Sequence, residues 1–343
     1  MIKNILKEAF ILKQNGFYKH ALETFYKAME IDNSSSELLL EIAKLYYLMN
    51  DEERALDYIE EILNKEPAHV NCLKLLKEIF INKNNIEDAI KTSKNIYAIS
   101  KNPKDLECLL ELLNSQKRYE ELFNYEQENL SHKSLYEMSL AKLFTSNIST
   151  AESCINKALE VEQNEKYLLL KSKILFKQNR IEECSDIIKN ISLDYEDADM
   201  INFVGLVKQY EFDFDNAIKL FTHAIKLAPK NDEYYYNCAS TYFKKGDKLM
   251  AKKYYNLSIS INPENPNYHF ALANLYYSER NYKRAMEELD FDFFEANLLK
   301  SIILYDTGYL ALAKKELDKL ILERPEDIIV QEYTNRITEE LKI

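Results

Sequence analysis

Glycine, proline and tryptophan are the residues that this chain lacks or uses sparingly. Its 343 residues contain four glycines, six prolines and no tryptophan. Four glycines cannot supply a phosphate-binding loop, a dinucleotide-binding loop or the Gly-x-Ser-x-Gly turn of serine hydrolases. The scarcity of glycine and proline also argues against a sheet with many turns, and it favours helices, whose interiors these two residues weaken most.

Positive charge is in short supply too. The chain carries 45 lysines and arginines against 57 aspartates and glutamates, which gives a formal net charge of −12. Binding to nucleic acid requires clustered cations, so we predict no nucleic-acid partner and favour a protein partner that is neutral or basic. No apolar run approaches 18 residues, and the first ten residues carry charges every few positions. We therefore predict no membrane insertion, no signal peptide and a cytoplasmic location.

Patterns of catalytic and metal-binding residues are also missing. The five cysteines include no Cys-x-x-Cys pair, and the five histidines are dispersed, without a spacing typical of zinc sites. The acidic and aromatic stretches at 210–215 and 290–294 each lack the combination of glycine and distal glutamate that a calcium loop needs. The sequence therefore predicts no catalytic residue, no metal, no cofactor and a protein that is not an enzyme.

What the chain does contain is a repeat of 34 residues. The segments 198–231 and 232–265 align without a gap. Their matched pairs include Gly205 with Ala239, Ala217 with Ala251, Phe221 with Tyr255, and Pro229 with Pro263. A fixed period of this length is typical of a solenoid of helical hairpins, in which each hairpin buries its apolar side against its neighbours.

The repeat extends along the whole chain. Counted from the first residue of each repeat, a small residue recurs at or near position 20, where the second helix must approach the first closely. These residues are Ala21, Ala55, Ala89, Ala151, Cys184, Ala217, Ala251, Ala285 and Ala313, with Leu122 in the gap after Ala89. The turn position 15 is glycine at Gly16, Gly246 and Gly308, and position 32, after the second helix, is proline at Pro67, Pro229, Pro263 and Pro325.

These residues resemble the tetratricopeptide repeat family. Its pattern has a small residue at position 8, aromatics at 11 and 24, glycine at 15, alanine at 20 and proline at 32. The aromatic positions are filled here by Tyr46, Phe80, Tyr242 and Tyr276 at 11, and by Phe25, Phe221 and Tyr255 at 24. The family's common tryptophan at position 4 is replaced, as at Leu39 and Tyr235. The resemblance implies an all-α fold, a right-handed α-solenoid of about ten helix-turn-helix repeats with a C-terminal capping helix.

We predict ten repeats, numbered 1 to 10, over residues 2–327. Their bounds are 2–35, 36–69, 70–102, 103–133, 134–164, 165–197, 198–231, 232–265, 266–293 and 294–327. Aligning Leu140–Phe144 with Ile42–Tyr46 makes the turn of repeat 5 two residues short, and repeat 9 loses about six residues from its second helix. Residues 328–343 predict a capping helix with a polar outer face and an apolar stripe of Ile329, Tyr333, Ile337 and Leu341.

By the same resemblance, positions 2, 5, 9, 12 and 13 of the first helices face a concave groove. In repeats 7 to 10 these positions are rich in aromatic rings and amides, a composition that suits peptide binding. The candidate binding residues are Asn202, Tyr210, Tyr236, Phe243, Phe270, Asn274, Tyr277 and Tyr305. The alternative is that these aromatic residues simply pack between successive first helices.

The sequence thus predicts a non-enzymatic scaffold or adaptor that binds a peptide or protein segment in the groove. One alternative is a peptide-sensing regulator, and another is an accessory module for a modifying enzyme such as a glycosyltransferase or a methyltransferase. No three consecutive repeats supply the lysine and asparagine set by which chaperone-binding relatives hold a terminal carboxylate, so such tails are disfavoured. The oligomeric state is left open.

Overall fold

The computed structural model describes residues 2–32, 35–192 and 196–341, and every regular element in these ranges is a helix. The chain divides into two compact units, Met1–Ile174 and Leu175–Ile343, called here the N-terminal and C-terminal units. The helices are α1 Ile2–Gln14, α2 Tyr18–Met29, α3 Ser36–Leu48, α4 Glu52–Lys65, α5 Val70–Asn82, α6 Ile86–Ser100, α7 Pro103–Ser115, α8 Tyr119–Phe123, α9 His132–Phe144, α10 Ile148–Val161, α11 Glu165–Lys177, α12 Ile181–Ile188, α13 Ala198–Tyr210, α14 Phe214–Leu227, α15 Asp232–Lys245, α16 Lys248–Ile261, α17 Pro266–Ser278, α18 Tyr282–Glu287, α19 Phe294–Asp306, α20 Leu310–Glu323 and α21 Ile328–Glu340.

The helices follow one another as antiparallel hairpins. Over the described residues, short turns join α1 to α20 into ten successive pairs, the two helices of nine pairs pack on each other, and α21 follows the last pair. Within a hairpin, the two helices pack along their length, as α15 does on α16 and α13 on α14. The predicted all-α class of repeated helical hairpins is confirmed. Residues 33–34 of predicted repeat 1 and residues 193–195 of predicted repeat 6 lie outside the described residues.

The small residues near position 20 are the contact points inside the hairpins. Each of them is fully buried, with no exposed surface: Ala21, Ala55, Ala89, Leu122, Ala151, Cys184, Ala217, Ala251, Ala285 and Ala313. On the facing helix of repeat 7, Gly205 lies so close to Phe221 that a Cβ atom built on it would be 2.7 Å from the ring. The two helix backbones therefore approach as closely as the sequence pattern predicts.

The turn inside each hairpin passes through one residue in the left-handed conformation. The ten residues are Gly16, Asn50, Asn84, Lys117, Ser146, Asn179, Phe212, Gly246, Arg280 and Gly308, with φ between 56° and 92°. Three are glycines, and the other seven accept a backbone conformation that costs an L-residue about 1–2 kcal/mol. The turn geometry is thus common to all ten described hairpins, while the glycine that reveals it in the sequence is present in three.

Repeat 5 begins two residues earlier than predicted. Its first helix, α9, starts at His132, after Ser131, whose hydroxyl accepts a hydrogen bond from a backbone N–H of the first turn. Counted from His132, Ser146 falls at position 15 and Ala151 at position 20, as in the other repeats. The predicted short turn in repeat 5 is therefore wrong, because the alignment that produced it matched apolar residues of different helical register.

The residues missing from the short spacing between Leu122 and Ala151 belong to repeat 4 instead. Its second helix, α8, has 5 residues, whereas α10 of repeat 5 has 14. The second helix of repeat 9, α18, has 6 residues, which confirms the predicted truncation there. Repeats 4 and 9 therefore share one kind of irregularity, a shortened second helix.

The C-terminal helix α21 is confirmed, but its apolar side differs from the predicted stripe. Val330 and Ile337 are fully buried and Tyr333 is half-buried, whereas Ile329 and Leu341 are each 47% exposed. Four residues advance 40° beyond one full turn of an α-helix. Residues spaced strictly four apart therefore drift off one side of the helix, whereas residues at alternating steps of three and four stay on it. The outer face is thus partly apolar. Residues 342 and 343 lie outside the described residues.

The contact at Gly205 predicts an unusual sign for a glycine-to-alanine change inside a helix. Alanine normally stabilises a helix interior by about 1 kcal/mol relative to glycine. We expect Gly205→Ala instead to lower the free energy of unfolding by roughly 1–3 kcal/mol, because the new methyl group overpacks the buried Phe221 ring. Denaturant titration followed by circular dichroism measures the change.

The same substitution in a Phe221→Leu background is the control. Leucine removes the ring edge, so Gly205→Ala should then be neutral or stabilising, and the double-mutant cycle should show a coupling free energy of more than about 0.5 kcal/mol. Equal destabilisation in both backgrounds would contradict the assigned contact.

The left-handed turns predict opposite effects of glycine at two equivalent positions. Arg280→Gly should raise the free energy of unfolding by about 0.5 kcal/mol, since relief of about 1–2 kcal/mol at φ 58° exceeds the loss of about 0.4–1 kcal/mol from a freer unfolded chain. Gly246→Ala should lower it by a similar amount, because φ is 92° there although nothing crowds the added Cβ. Thermal unfolding of both variants gives the two signs, and like signs would refute the turn argument.

Candidate functional site

The eight candidate residues all lie on first helices of the C-terminal unit. Asn202 and Tyr210 belong to α13, Tyr305 to α19, and the other five to α15 and α17. On α15 the members are seven residues apart, and on α17 they are four and three residues apart, spacings that place them on one side of each helix. The eight residues together are called here the first-helix face.

Four of the aromatic residues meet at the edge of one buried cluster. Its buried members include Ala239, Leu272, Ala273 and Tyr276. Half-buried side chains packed on it include Tyr236, Phe243, Phe270 and Tyr277. The structure therefore brings these four candidates together, with each ring partly in the core and partly at the surface.

Neighbouring rings hold these side chains in place. Tyr236 stacks on Tyr268 with ring centroids 5.0 Å apart, and Phe270 meets Phe293 edge-on at 5.6 Å. Burial raises the pKa of Tyr236, so its hydroxyl stays protonated at neutral pH. Because packing already fixes the rings, binding of a ligand over them would cost little side-chain entropy on the protein.

Two tyrosine hydroxyls on this face donate to carboxylates of the helix two elements further along the chain. Tyr277 donates to Asp306 Oδ2 at 2.8 Å, and Tyr305 donates to Glu340 Oε1 of α21 at 2.5 Å. Burial, followed by the Asp306 hydrogen bond, raises the pKa of Tyr277, and the Glu340 hydrogen bond raises that of Tyr305. Tyr305 also meets Tyr333 of α21 edge-on at 5.4 Å, so the C-terminal helix covers part of it.

Tyr210 is the most exposed of the eight, at 47%. Its ring contacts the edge of Phe176 at 4.9 Å, and the Lys244 ammonium lies 5.4 Å from its centroid. Lys244 donates to Gln209 Oε1 at 2.8 Å, and burial lowers its pKa. The Lys244 ammonium beside the exposed Tyr210 ring gives this end of the face a positive character.

The two asparagines are placed differently. Asn202 is 6% exposed, and its Oδ1 accepts a hydrogen bond from Asn237 Nδ2 at 3.0 Å. Asn202 therefore has little surface for a ligand and mainly joins α13 to α15. Asn274 is half-buried and donates to Phe270 O at 3.0 Å on its own helix, so its side-chain oxygen faces away from that bond.

A second polar surface lies in the N-terminal unit, and the sequence did not predict it. It is a cleft of about 350 Å³ whose lining includes Glu107, Glu111, Tyr136, Glu137 and Tyr167. The glutamates of α7 stand at inward-facing positions, but the register error in repeat 5 placed Tyr136 at position 3 rather than position 5. Correct numbering from His132 was the signal that would have revealed it.

Comparison with known proteins supports the repeat itself. The sequence profile of the tetratricopeptide repeat matches residues 198–231 and 232–265, the two segments that align with each other. Residues 198–265 consist of two tetratricopeptide repeats. The resemblance drawn from single residues is thereby confirmed, and the all-α class of the α-solenoid type is confirmed with it.

Relatives agree with this assignment over different shares of the chain. A TPR repeat-containing protein of Methanocaldococcus jannaschii is 25% identical over 237 residues, which are 67% of this chain and 39% of the relative. The photosystem I assembly protein Ycf3 of Prochlorococcus marinus is 30% identical over 77 residues, 22% of this chain and 44% of the relative. The chain therefore spans less than half the length of these curated relatives.

Among solved structures, the hetero-tetramer of Cut9 and Hcn1 from the anaphase-promoting complex resembles this fold. It matches with a TM-score of 0.57 and 12% identity, covering 96% of this chain and 74% of that one. At this identity the likeness concerns the fold alone.

Metal binding and membrane crossing find no support in the described ranges. There, no group of three or more histidine, cysteine, aspartate or glutamate side chains is arranged to hold a metal ion. None of the described helices combines the length and apolarity needed to cross a bilayer.

The pairing of Asn202 with Asn237 separates a structural role from ligand binding. We expect Asn237→Ala to lower the free energy of unfolding by about 1–3 kcal/mol, because it leaves a buried amide of the tetratricopeptide repeat without its partner. Replacing both asparagines by leucine should restore much of that loss. Chemical denaturation measures the free energy of unfolding of the two variants. The pairing would be contradicted if Asn237→Ala left this free energy unchanged and the double leucine variant were destabilised.

Proposed function

We propose that this tetratricopeptide repeat protein is a non-enzymatic scaffold that binds a segment of a partner protein on the first-helix face. Repeats of this family generally serve protein–protein interaction, which is the coarser function that the fold supports. The finer proposal places the binding surface on repeats 7 to 10. It depends mainly on the convergence of Tyr236, Phe243, Phe270 and Tyr277 on one core cluster.

The physical argument is that half-buried rings make good binding anchors. Each ring is fixed from below by the cluster and by neighbouring rings such as Tyr268 and Phe293. Anchors of this kind supply apolar area without the entropic loss of ordering a mobile side chain. The tyrosine hydroxyls and the Asn274 oxygen add hydrogen-bonding groups between them, which suits a polypeptide with a polar backbone.

The names of the similar proteins point the same way. Ycf3 is named an assembly protein, and Cut9 is solved in complex with Hcn1. Both names describe proteins that engage other proteins. By contrast, the sequence supplies no motif for nucleophilic or metal-assisted catalysis, which is why a scaffold is preferred to an enzyme.

Selection from a random peptide library tests the face against many possible partner segments at once. Phage-displayed random 12-residue peptides are selected on the full chain, and the tightest peptides are synthesised and titrated by fluorescence anisotropy. Tyr210→Ser and Phe270→Ala should each weaken binding at least tenfold, about 1.4 kcal/mol, because they remove partly exposed anchors of the face.

Phe212→Ser is the matched control. Phe212 is 79% exposed, more than any of the eight residues, yet it lies in the turn of repeat 7 and outside the face. It should leave the affinity unchanged. Peptides that lose affinity with Phe212→Ser while ignoring the face variants would refute the proposed location, and failure to select any peptide would refute the peptide-binding function.

A further inference from the structure

The cleft of the N-terminal unit lies among the first helices of repeats 4 to 6. It is lined from α7 by Glu107 and Glu111, from α9 by Tyr136 and Glu137, and from the start of α11 by Tyr167. Its volume is about 350 Å³. It is remote in sequence from the first-helix face of repeats 7 to 10, so an inference about it does not depend on the proposed function.

The cleft holds more negative than positive charge. Three glutamates line it, against the two lysines Lys133 and Lys166. Glu107 accepts a hydrogen bond from the Ser131 hydroxyl at 2.6 Å, and Glu137 accepts one from Asn114 Nδ2 at 2.7 Å. In the parts of the chain that the structure describes, Glu111 has neither a hydrogen bond nor an ion pair. The three carboxylates are thus incompletely neutralised.

Burial disfavours the ionised form of Glu137. Burial, with a contribution from the Glu111 carboxylate, raises its pKa above the usual range, although Asn114 and Lys166 act in the opposite direction. A cation entering between Glu111 and Glu137 would stabilise both ionised forms.

Tyr136 and Tyr167 form the aromatic wall of the cleft, and they give a second, independent observation that favours a bound ligand. Tyr136 is only 9% exposed and stacks on Tyr167 with centroids 5.2 Å apart. Among the described residues, its hydroxyl has no hydrogen-bond partner, although that of Tyr167 pairs with His132 Nδ1 at 3.0 Å. The Tyr136 side chain is thus about nine-tenths buried, and its hydroxyl, which lines the cleft, is free to pair with a bound ligand.

A cation already lies against this wall. The Lys166 ammonium is 4.3 Å from the centroid of the Tyr136 ring, a distance typical of a cation–π contact. Lys166 therefore occupies the ring face that Tyr167 leaves open, and a ligand cation would bind there in its place.

We propose that this cleft is a second binding site, which takes the guanidinium of an arginine side chain on a partner protein segment. A guanidinium is planar and always charged, so it can replace the exposed Lys166 ammonium on the Tyr136 ring while its N–H groups donate to Glu111, Glu137 and the Tyr136 oxygen. An anion is disfavoured by the three carboxylates, and the chain's net charge of −12 favours basic partners in general.

Cys108 provides a probe at the cleft. It lines the cleft and is exposed, whereas Cys154, which is half-buried and not among the lining residues, serves as an internal reference. Neutral methyl methanethiosulfonate reacts when the Cys108 thiolate attacks its sulfenyl sulfur, forming a mixed disulfide and releasing methanesulfinate. Mass spectrometry of the Cys108 and Cys154 peptides of the full chain gives both rates.

The rates are measured with three added ligands: Nα-acetyl-arginine amide, its uncharged isostere Nα-acetyl-citrulline amide, and free arginine. The arginine amide should slow reaction at Cys108 at least fivefold at saturation and leave Cys154 unchanged. The citrulline amide should protect at least tenfold less effectively. Equal protection by the two amides would overturn the proposal, and better protection by free arginine would overturn the assignment to a protein segment.

Charge variants complete the test. Glu111→Gln combined with Glu137→Gln should abolish protection, while Glu60→Gln, an exposed carboxylate of α4 in the same unit, should retain it. The double variant should also show a higher thermal midpoint than the parent, because it relieves uncompensated negative charge; this result verifies that it is folded. Protection that persists in the folded double variant would refute the site.

Discussion

The close approach of two helix backbones within each hairpin is the contact on which the rest of this structure depends. Ten residues near position 20 have no exposed surface, and in repeat 7 the approach is tight enough for the Phe221 ring to exclude a Cβ at Gly205. Nine of the ten residues are alanine or cysteine, because a larger side chain would push the helices apart, and the larger Leu122 occurs in repeat 4, whose second helix is shortened to 5 residues. Once the helices are this close, the turn between them is short, and its geometry is fixed by the distance it must span. Bulky residues such as Phe212 and Arg280 therefore take a left-handed conformation that they would otherwise avoid.

The fold could be predicted from the sequence wherever side-chain size or helix-ending residues determine the structure. The hairpins, the truncated α18 and the C-terminal helix all follow from small residues, prolines and apolar spacing. Helix register in repeat 5 could not be obtained in this way, because a run of apolar residues fits a helix equally well when shifted by two. The cap at Ser131 decides that register, and a serine before a helix is too common to be distinguished in advance.

The first-helix face could likewise be predicted only in part. Sequence position correctly grouped four aromatic residues, since helical periodicity places them on one side. It could not separate Asn202 from Asn274, although one is buried against Asn237 and the other is half-buried. That difference depends on which residue the next helix brings opposite, and in repeat 8 this partner is another amide. The two interpretations of the aromatic residues, as packing and as binding surface, are also not exclusive, because a ring such as Tyr236 is half in the core and half outside it.

The two surfaces differ in how fully the chain satisfies its own groups. On the first-helix face, the hydroxyls of Tyr277 and Tyr305 already have carboxylate partners, so a ligand there would gain mainly from apolar contact with fixed rings. In the cleft of the N-terminal unit, the Tyr136 hydroxyl and the Glu111 carboxylate have no such partners among the described residues, and the burial of Glu137 disfavours its ionised form. An apolar surface with satisfied polar groups tolerates many sequences, whereas unsatisfied charge in a narrow space selects one chemical group. One chain can therefore combine a permissive surface in one unit with a selective one in the other.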